Sequence, residues 1–251
     1  MAKSSLRLFP RNMTDTTRVL TRLDGSVRND SASTELAALR TEQALPIRQF
    51  FSWPGKRNYE GVWWSSSNRG HVEFESLLER EFLLTADADI DVVAIAAQPL
   101  ALLWPHGTPG ERHHVPDFFV RLASGDGRLV DVRAPDRVAK NAEQFAMTRA
   151  VCSEIGWQYE VFTGLPPTRA QNLRWLAGYR HDRHAPTSDT TGAIQKCFAT
   201  TMALRTGIIQ SSAFTGLPPD VTTAHVLHLL WRGRLLADLN TPLSMASEVW
   251  A

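Results

Sequence analysis

The chain has 251 residues, enough for one large domain or two modest ones. Hydrophobic residues make up 43%, so it can bury a core and is not globally disordered. With 27 basic against 26 acidic residues and a formal charge of +1, it is not coated in positive charge that would hold nucleic acid by bulk attraction, and any basic patch must be local.

Residues 1–50 are polar and weakly patterned and read as a partly ordered N-terminal arm, with a short helix over Leu36 to Leu39. Met1 to Arg11 lacks the apolar run of a signal peptide. No stretch approaches the ~20 apolar residues that cross a bilayer. Tyr59 to Trp64 and His71 to Phe74 predict the strands of a hairpin about the turn Ser65 to Gly70.

Helical spacing follows from Phe74 to Thr85, with Phe74, Leu77, Leu78, Phe82 and Leu84 largely on one face. Ile90 to Ala97 and Leu100 to Trp104 read as strands, and 106–110 as a Gly/Pro turn. Asp117 to Leu122 and Leu129 to Arg133 form a strand pair about Ser124 to Gly127. A helix over Asp136 to Ile155 stops at Gly156, and Tyr159 to Thr163 is a further strand.

This order gives an α/β fold, a mixed central sheet flanked by helices, over residues 51–166. Residues 167–251 read as a smaller helical domain. Arg169 to Ala177 is a short helix, 178–192 a linker, and Ala193 to Leu204 a helix. Another runs from Pro218-Pro219 to Trp231, and a small hairpin begins at Leu235. Helices followed by a hairpin fit a winged-helix-like module.

The chemistry concentrates in Pro116-Asp117-Phe118-Phe119-Val120 and Asp131-Val132-Arg133. A carboxylate at the start of one strand and another on its hairpin partner converge at one end of a sheet. Asp131 and Arg133 share parity and so one face. Hard oxygen ligands so placed suit Mg²⁺ or Mn²⁺, which polarises a phosphate and acidifies a water. A neighbouring cation stabilises developing phosphate charge. Glu75 and Glu79, spaced i,i+4 on the predicted helix, offer a third carboxylate, against the ordinary fate of a solvated helix face.

Helix-Glu, then Pro-Asp, then an acid-x-cation triplet on adjacent strands resembles the PD-(D/E)xK nucleases, whose fold is restriction-endonuclease-like. A closer resemblance, over about Tyr59 to Thr163, is to TnsA, the endonuclease subunit of heteromeric transposases. It rests on Ser76-Leu77-Leu78-Glu79, Gln98-Pro99, Asp117-Phe118 and Asp131-Val132-Arg133. The resemblance selects Glu79 over Glu75. It implies a Mg²⁺-dependent DNA endonuclease in the bacterial cytoplasm that cuts the 5′ strands at transposon ends. Glu79, Asp117 and Asp131 would hold the ion with the Val132 carbonyl as an extra ligand, and Arg133 would stabilise the transition state. It also implies as partners double-stranded DNA, a TnsB-like DDE transposase and a TnsC-like ATPase regulator.

Arg133 stands where the family has lysine. Arginine keeps the charge and grips phosphate in two-pronged fashion, but it cannot act as a base. Lys140 is a candidate substitute base, but an exposed helical lysine is the favoured reading. The other readings are a stand-alone restriction or repair nuclease, and a non-catalytic DNA-docking subunit with a decayed site.

His113 and His114 read as edge-strand surface groups in preference to phosphate contacts or positioners of water, and Gln98 as either a group near the sheet's active edge or a strand-end amide that satisfies a backbone group. Gln144 is a weak candidate for a DNA contact. Trp53, Lys56 and Arg57 are a candidate basic and aromatic contact, set against a solvated loop. Cys152 and Cys197 have no CxxC or Cys/His spacing, which argues against structural zinc and suits a reducing compartment. Neither a Walker motif nor a Ser/His/Asp set is present.

Overall fold

The computed structural model describes residues 16–48, 59–105 and 111–251. Trp53, Lys56, Arg57 and the turn at 106–110 lie outside these. The chain divides into two compact units. The first comprises the described residues up to Val62, Val72–Glu79 and Val93–Thr163, and the second Trp63–His71, Arg80–Val92 and Gly164–Ala251.

The first unit carries two four-stranded sheets. In one, the order is β2 (Ser26–Ser31), β1 (Arg18–Leu23), β6 (Leu100–Trp104) and β7 (Arg112–His114), all antiparallel. The other runs β10 (Gln158–Phe162), β9 (Gly127–Val132), β8 (Phe118–Leu122) and β5 (Val92–Ala97). It is mixed, because β8 pairs with β9 antiparallel while β9 pairs with β10 in parallel through the helical crossover. The expected single sheet is therefore two.

The expected arm is also built in over much of its length. β1 turns Val19, Thr21 and Leu23 inward, all at most 5% exposed, and pairs with β6. β2 is exposed almost throughout, so its sequence has no apolar alternation and only its pairing marks it as a strand. The short helix expected over 36–39 is a 3-10 turn at Thr34–Ala38.

The expected helix over 136–155 is segmented into α2 (Pro135–Val138), a 3-10 turn and α3 (Ala142–Ile155). Gly156 ends α3 at φ 91, the left-handed cap that glycine adopts without a Cβ clash. Met147, Val151, Cys152 and Ile155 of α3 pack with Val19, Leu100, Leu102, Phe119 and Leu129 in one core. Each such side chain contributes ~1.5–3 kcal/mol on burial. The hairpin β3 (Gly61–Ser65) and β4 (Gly70–Phe74) is as expected, and α1 follows at Leu77–Ala88.

The second unit contains α4 (Pro167–Leu176), α5 (Ser188–Cys197), β11 (Met202–Ala203), α6 (Leu204–Thr215), α7 (Pro219–Trp231), β12 (Leu236–Ala237) and β13 (Glu248–Trp250). α5 begins inside the stretch expected as a linker and stops at Cys197, short of the expected Leu204. α6 escaped the periodicity because its buried face is Leu204, Gly207, Ile208 and Ser211, so half of it is not hydrophobic. Gly207 is needed there: a Cβ would lie 2.1 Å from the ring of the fully buried Phe198. The short strands form a sheet in the order β11-β13-β12. β12 pairs antiparallel with β13, the next strand in the chain, so a hairpin does begin near Leu235, across a longer loop. Among the described residues no helix is long and apolar enough to cross a membrane.

Candidate active site

An open pocket of about 880 Å³ in the first unit is lined by Glu79, Asp117, Val132 and Arg133, with Glu75, Arg48 and Arg137 around them. Five separate stretches of chain supply its lining.

Glu79 is held by its own helix start. Ser76 Oγ accepts from Glu79 N at 3.1 Å. The Glu79 carboxylate accepts from Ser76 Oγ at 2.9 Å and Glu75 N at 2.7 Å. This is a variant of the reciprocal capping box, a purely structural use of Ser-x-x-Glu that the sequence also carried. α1 starts at Leu77, so Glu75 precedes the helix and the expected shared helical face does not exist. Burial raises the Glu79 carboxyl above its ordinary value. The Glu75 amide and Ser76 hydroxyl oppose this, and the more distant Arg48 charge adds to them.

Asp117 sits one step before β8, and its Oδ2 accepts from Val132 N at 2.7 Å. Extending the register one step beyond Phe118↔Val130 sets it opposite Asp131. It is 8% exposed. Burial is the main reason its carboxyl is pushed from 3.8 up to about 7, followed by the charges of Asp131 and Glu79. The Val132 amide and Arg133 act in the opposite sense.

Asp131 does not line the pocket. It is fully buried on the side facing α3 and β10. Tyr159 donates its hydroxyl to Oδ2 at 2.5 Å, and His114 Nε2 lies 3.0 Å from the same oxygen and 2.9 Å from Oδ1. Gln144 Nε2 lies 2.7 Å from His114 Nδ1. With the Gln144 amide donating to Nδ1, the imidazole proton sits on Nε2 and points at the carboxylate. A buried carboxylate needs such donors. Burial beside Asp131 raises the Tyr159 hydroxyl strongly, so it stays a donor.

His114 is thus interior, where a surface group was expected, while His113 is exposed as expected. Gln144 serves His114. Tyr159 pairs with Leu129, which places it diagonal to Asp131 on the same face, a relation visible only once register is known. Tyr159→Phe is expected to cost about 2 kcal/mol, the worth of a hydrogen bond to a buried charge, in urea unfolding. A change below about 0.5 kcal/mol would show that Asp131 does not depend on it.

Arg133 lies past the end of β9, its N–H bonded to Phe162 O at 2.9 Å. The strand alternation stops at Val132, so Arg133 lines the pocket while Asp131 does not. Its Nε is buried with no hydrogen-bond partner among the described residues. Lys140 is exposed and is not among the pocket's lining residues.

Gln98 is 1% exposed with φ 48, a left-handed backbone that costs a non-glycine residue ~1 kcal/mol. Its N–H donates to Asp117 O at 2.9 Å and its carbonyl accepts from Ile47 N at 2.9 Å. Its side-chain Oε1 accepts from Arg48 Nε at 3.0 Å. Arg48 in turn donates to Glu75 Oε2 at 2.8 Å. Sequence gave no sign of Arg48, which lies 50 positions from Gln98.

Two pocket carboxylates with a third close enough to raise Asp117 are hard oxygen donors whose mutual repulsion a divalent cation would relieve, and in that sense they fit Mg²⁺. Among the described residues no group of three His, Cys, Asp or Glu stands close enough together to hold an ion.

Comparison with curated proteins finds no match. Residues 89–164 match the family model described as TnsA-like endonuclease N terminal. The matched stretch contains Gln98, His114, Asp117, Asp131, Arg133, Gln144 and Tyr159, and excludes Glu79 and the second unit beyond Gly164. Residues 89–164, which carry β5 to β10 and the PD hairpin, are thus similar to the N-terminal domain of TnsA-like endonucleases.

Proposed function

We propose that the chain is a metal-dependent DNA endonuclease subunit of a heteromeric transposase, cutting the 5′ strands at transposon ends. The observation that carries this reading is the meeting at one pocket of Glu79 from α1 with Asp117 and Arg133 of the hairpin in the matched stretch, the buried Arg133 Nε having no hydrogen-bond partner among the described residues.

Glu79 and Asp117 would present oxygens to Mg²⁺ or Mn²⁺, with the Val132 carbonyl beside them and Asp131 as the third carboxylate. A divalent cation so bound supplies Lewis acidity toward phosphate and water. The protein's own part is to orient and neutralise. Val132 N fixes the Asp117 carboxylate, and Ser76 and the Glu75 amide fix Glu79. Arg133 offers its unpartnered Nε–H to a phosphate oxygen, where charge builds in the transition state.

In the second unit, the order α5, β11, α6, α7, β12, β13 with β13 central in its sheet supports a winged-helix reading. A TnsB-like transposase and a TnsC-like ATPase would be its partners.

The test is calorimetric titration of Mn²⁺ into the wild type and Asp117→Ala. Uptake by the wild type alone supports the reading, and cleavage is then reconstituted with the partner transposase. A non-catalytic docking subunit is the second reading, favoured by the withdrawal of Asp131 into its bonds with His114 and Tyr159. Absent or equal Mn²⁺ uptake in both proteins, with a DNA duplex present, would decide for it.

A further inference from the structure

The pocket lies beside Glu75, Glu79, Asp117 and Asp136, four acidic groups facing whatever enters. A DNA strand is itself a polyanion, so binding there requires cations placed against the phosphates. Arg133 is one. The first unit supplies one from its N-terminal segment.

Arg48 lines the same pocket, and its side chain is 51% exposed. Its guanidinium is fixed on two sides, Nε to Gln98 Oε1 at 3.0 Å and a terminal nitrogen to Glu75 Oε2 at 2.8 Å. The anchor is unusual. Gln98 is buried, carries a left-handed backbone, and is bonded through its main chain to Asp117 on one side and Ile47 on the other. One strained residue therefore sets the spacing between Arg48 and the Asp117 backbone. A half-exposed surface ion pair contributes too little to justify such strain, and strained backbone of this kind gathers at functional sites. A planar guanidinium held in place before its ligand arrives loses little freedom on gripping a phosphate.

We infer that Arg48, held by Gln98 and Glu75, binds a backbone phosphate of the DNA strand lying in the pocket. The identity of the ligand rests on the nuclease reading, while the site itself rests on these bonds.

The experiment is binding of the full chain to a fluorescent DNA duplex, followed by anisotropy over a series of salt concentrations without divalent metal. Arg48→Ala is expected to weaken binding about tenfold and to reduce the slope of log affinity against log salt by about 0.9, the loss of one phosphate contact. Arg48→Lys is expected to keep the slope and to recover part of the affinity, because it restores the charge without the two-pronged grip. Gln98→Gly releases the strained backbone and removes the side-chain anchor. It is expected to weaken binding with no loss of thermal stability, a split that a packing role for Gln98 does not produce. Wild-type affinity and slope in Arg48→Ala overturn the inference and leave the nuclease reading standing. A wild type that takes up Mn²⁺ but binds no duplex at low salt does the same. A wild type that takes up neither overturns both.

Discussion

Asp117→Asn is expected to unfold at a higher temperature than the natural chain above pH 7 in the absence of divalent metal, and to have lost DNA cleavage. The Asp117 carboxyl is buried among other acids, which pushes it from 3.8 up to about 7. A group raised in the folded state favours folding while it is protonated. That contribution is whole below about pH 4 and is lost as pH rises through about 7. The interval between the two values corresponds to about 4 kcal/mol. The natural chain therefore carries up to that much destabilising charge at pH 8. Asparagine is neutral at every pH and keeps an oxygen to accept the Val132 N–H.

The difference between the two proteins, measured by thermal unfolding across this range, isolates Asp117 from every other titrating group. It should open between pH 4 and 7 and stay level above. Mg²⁺ should close it by stabilising the natural chain alone. On the proposed reading, cleavage reconstituted with a TnsB-like transposase should fall at least about a thousandfold, the equivalent of about 4 kcal/mol of transition-state stabilisation. An Asp117→Asn protein less stable than the natural chain at pH 8 would show that the neighbouring acids do not strain this site.

Arg133→Ala is expected to lower the rate of cleavage by about 10²–10³-fold, with little change in DNA affinity, because the charge it meets develops in the transition state. Its buried Nε, without a hydrogen-bond partner among the described residues, is the observation behind this. A guanidinium does not give up its proton near neutral pH, so it acts by charge and hydrogen bonding. Arg133→Lys should then stay within about tenfold of the natural rate, since the ammonium keeps the charge and loses the fork. Single-turnover cleavage separates the outcomes. Full activity in Arg133→Ala would remove Arg133 from the chemistry. A Lys variant much faster than the natural chain would mean that this position serves best as a proton acceptor.

Glu79 carries a structural use that competes with its proposed one. Its carboxylate closes the start of α1 through Ser76 and the Glu75 amide. Loss of cleavage in a Glu79 variant is therefore read only beside a measurement of stability.

What the sequence by itself determined is local. The PD hairpin was legible because two apolar, Val-containing runs, the first also aromatic, flank a Ser-Gly-Asp-Gly turn. The end of α3 was legible because Gly156 marks it, and α7 because Pro219 opens an apolar run ending at Trp231. Each signal lies within a few residues of what it specifies. Asp117 and Asp131 were legible in the same way, as a motif on one hairpin, and Glu79 through Ser76-Leu77-Leu78-Glu79 at a helix start.

The tertiary structure decided their environments. Asp131 was expected to share a face with Arg133, yet it meets Tyr159 and His114, 28 and 17 positions away, while Arg133 escapes the alternation where β9 ends. β2 has almost no buried side, and half the buried face of α6 is glycine and serine, so neither shows the apolar period that marks an element. Arg48 reaches the pocket only because β1 and β2 carry the N-terminal segment onto the first sheet, and Gln98 then clamps it beside Asp117. Backbone preference and turn chemistry are properties of neighbours along the chain. The burial of a carboxylate and the partner of a guanidinium are set by strand register and packing, which bring together residues that no local pattern relates.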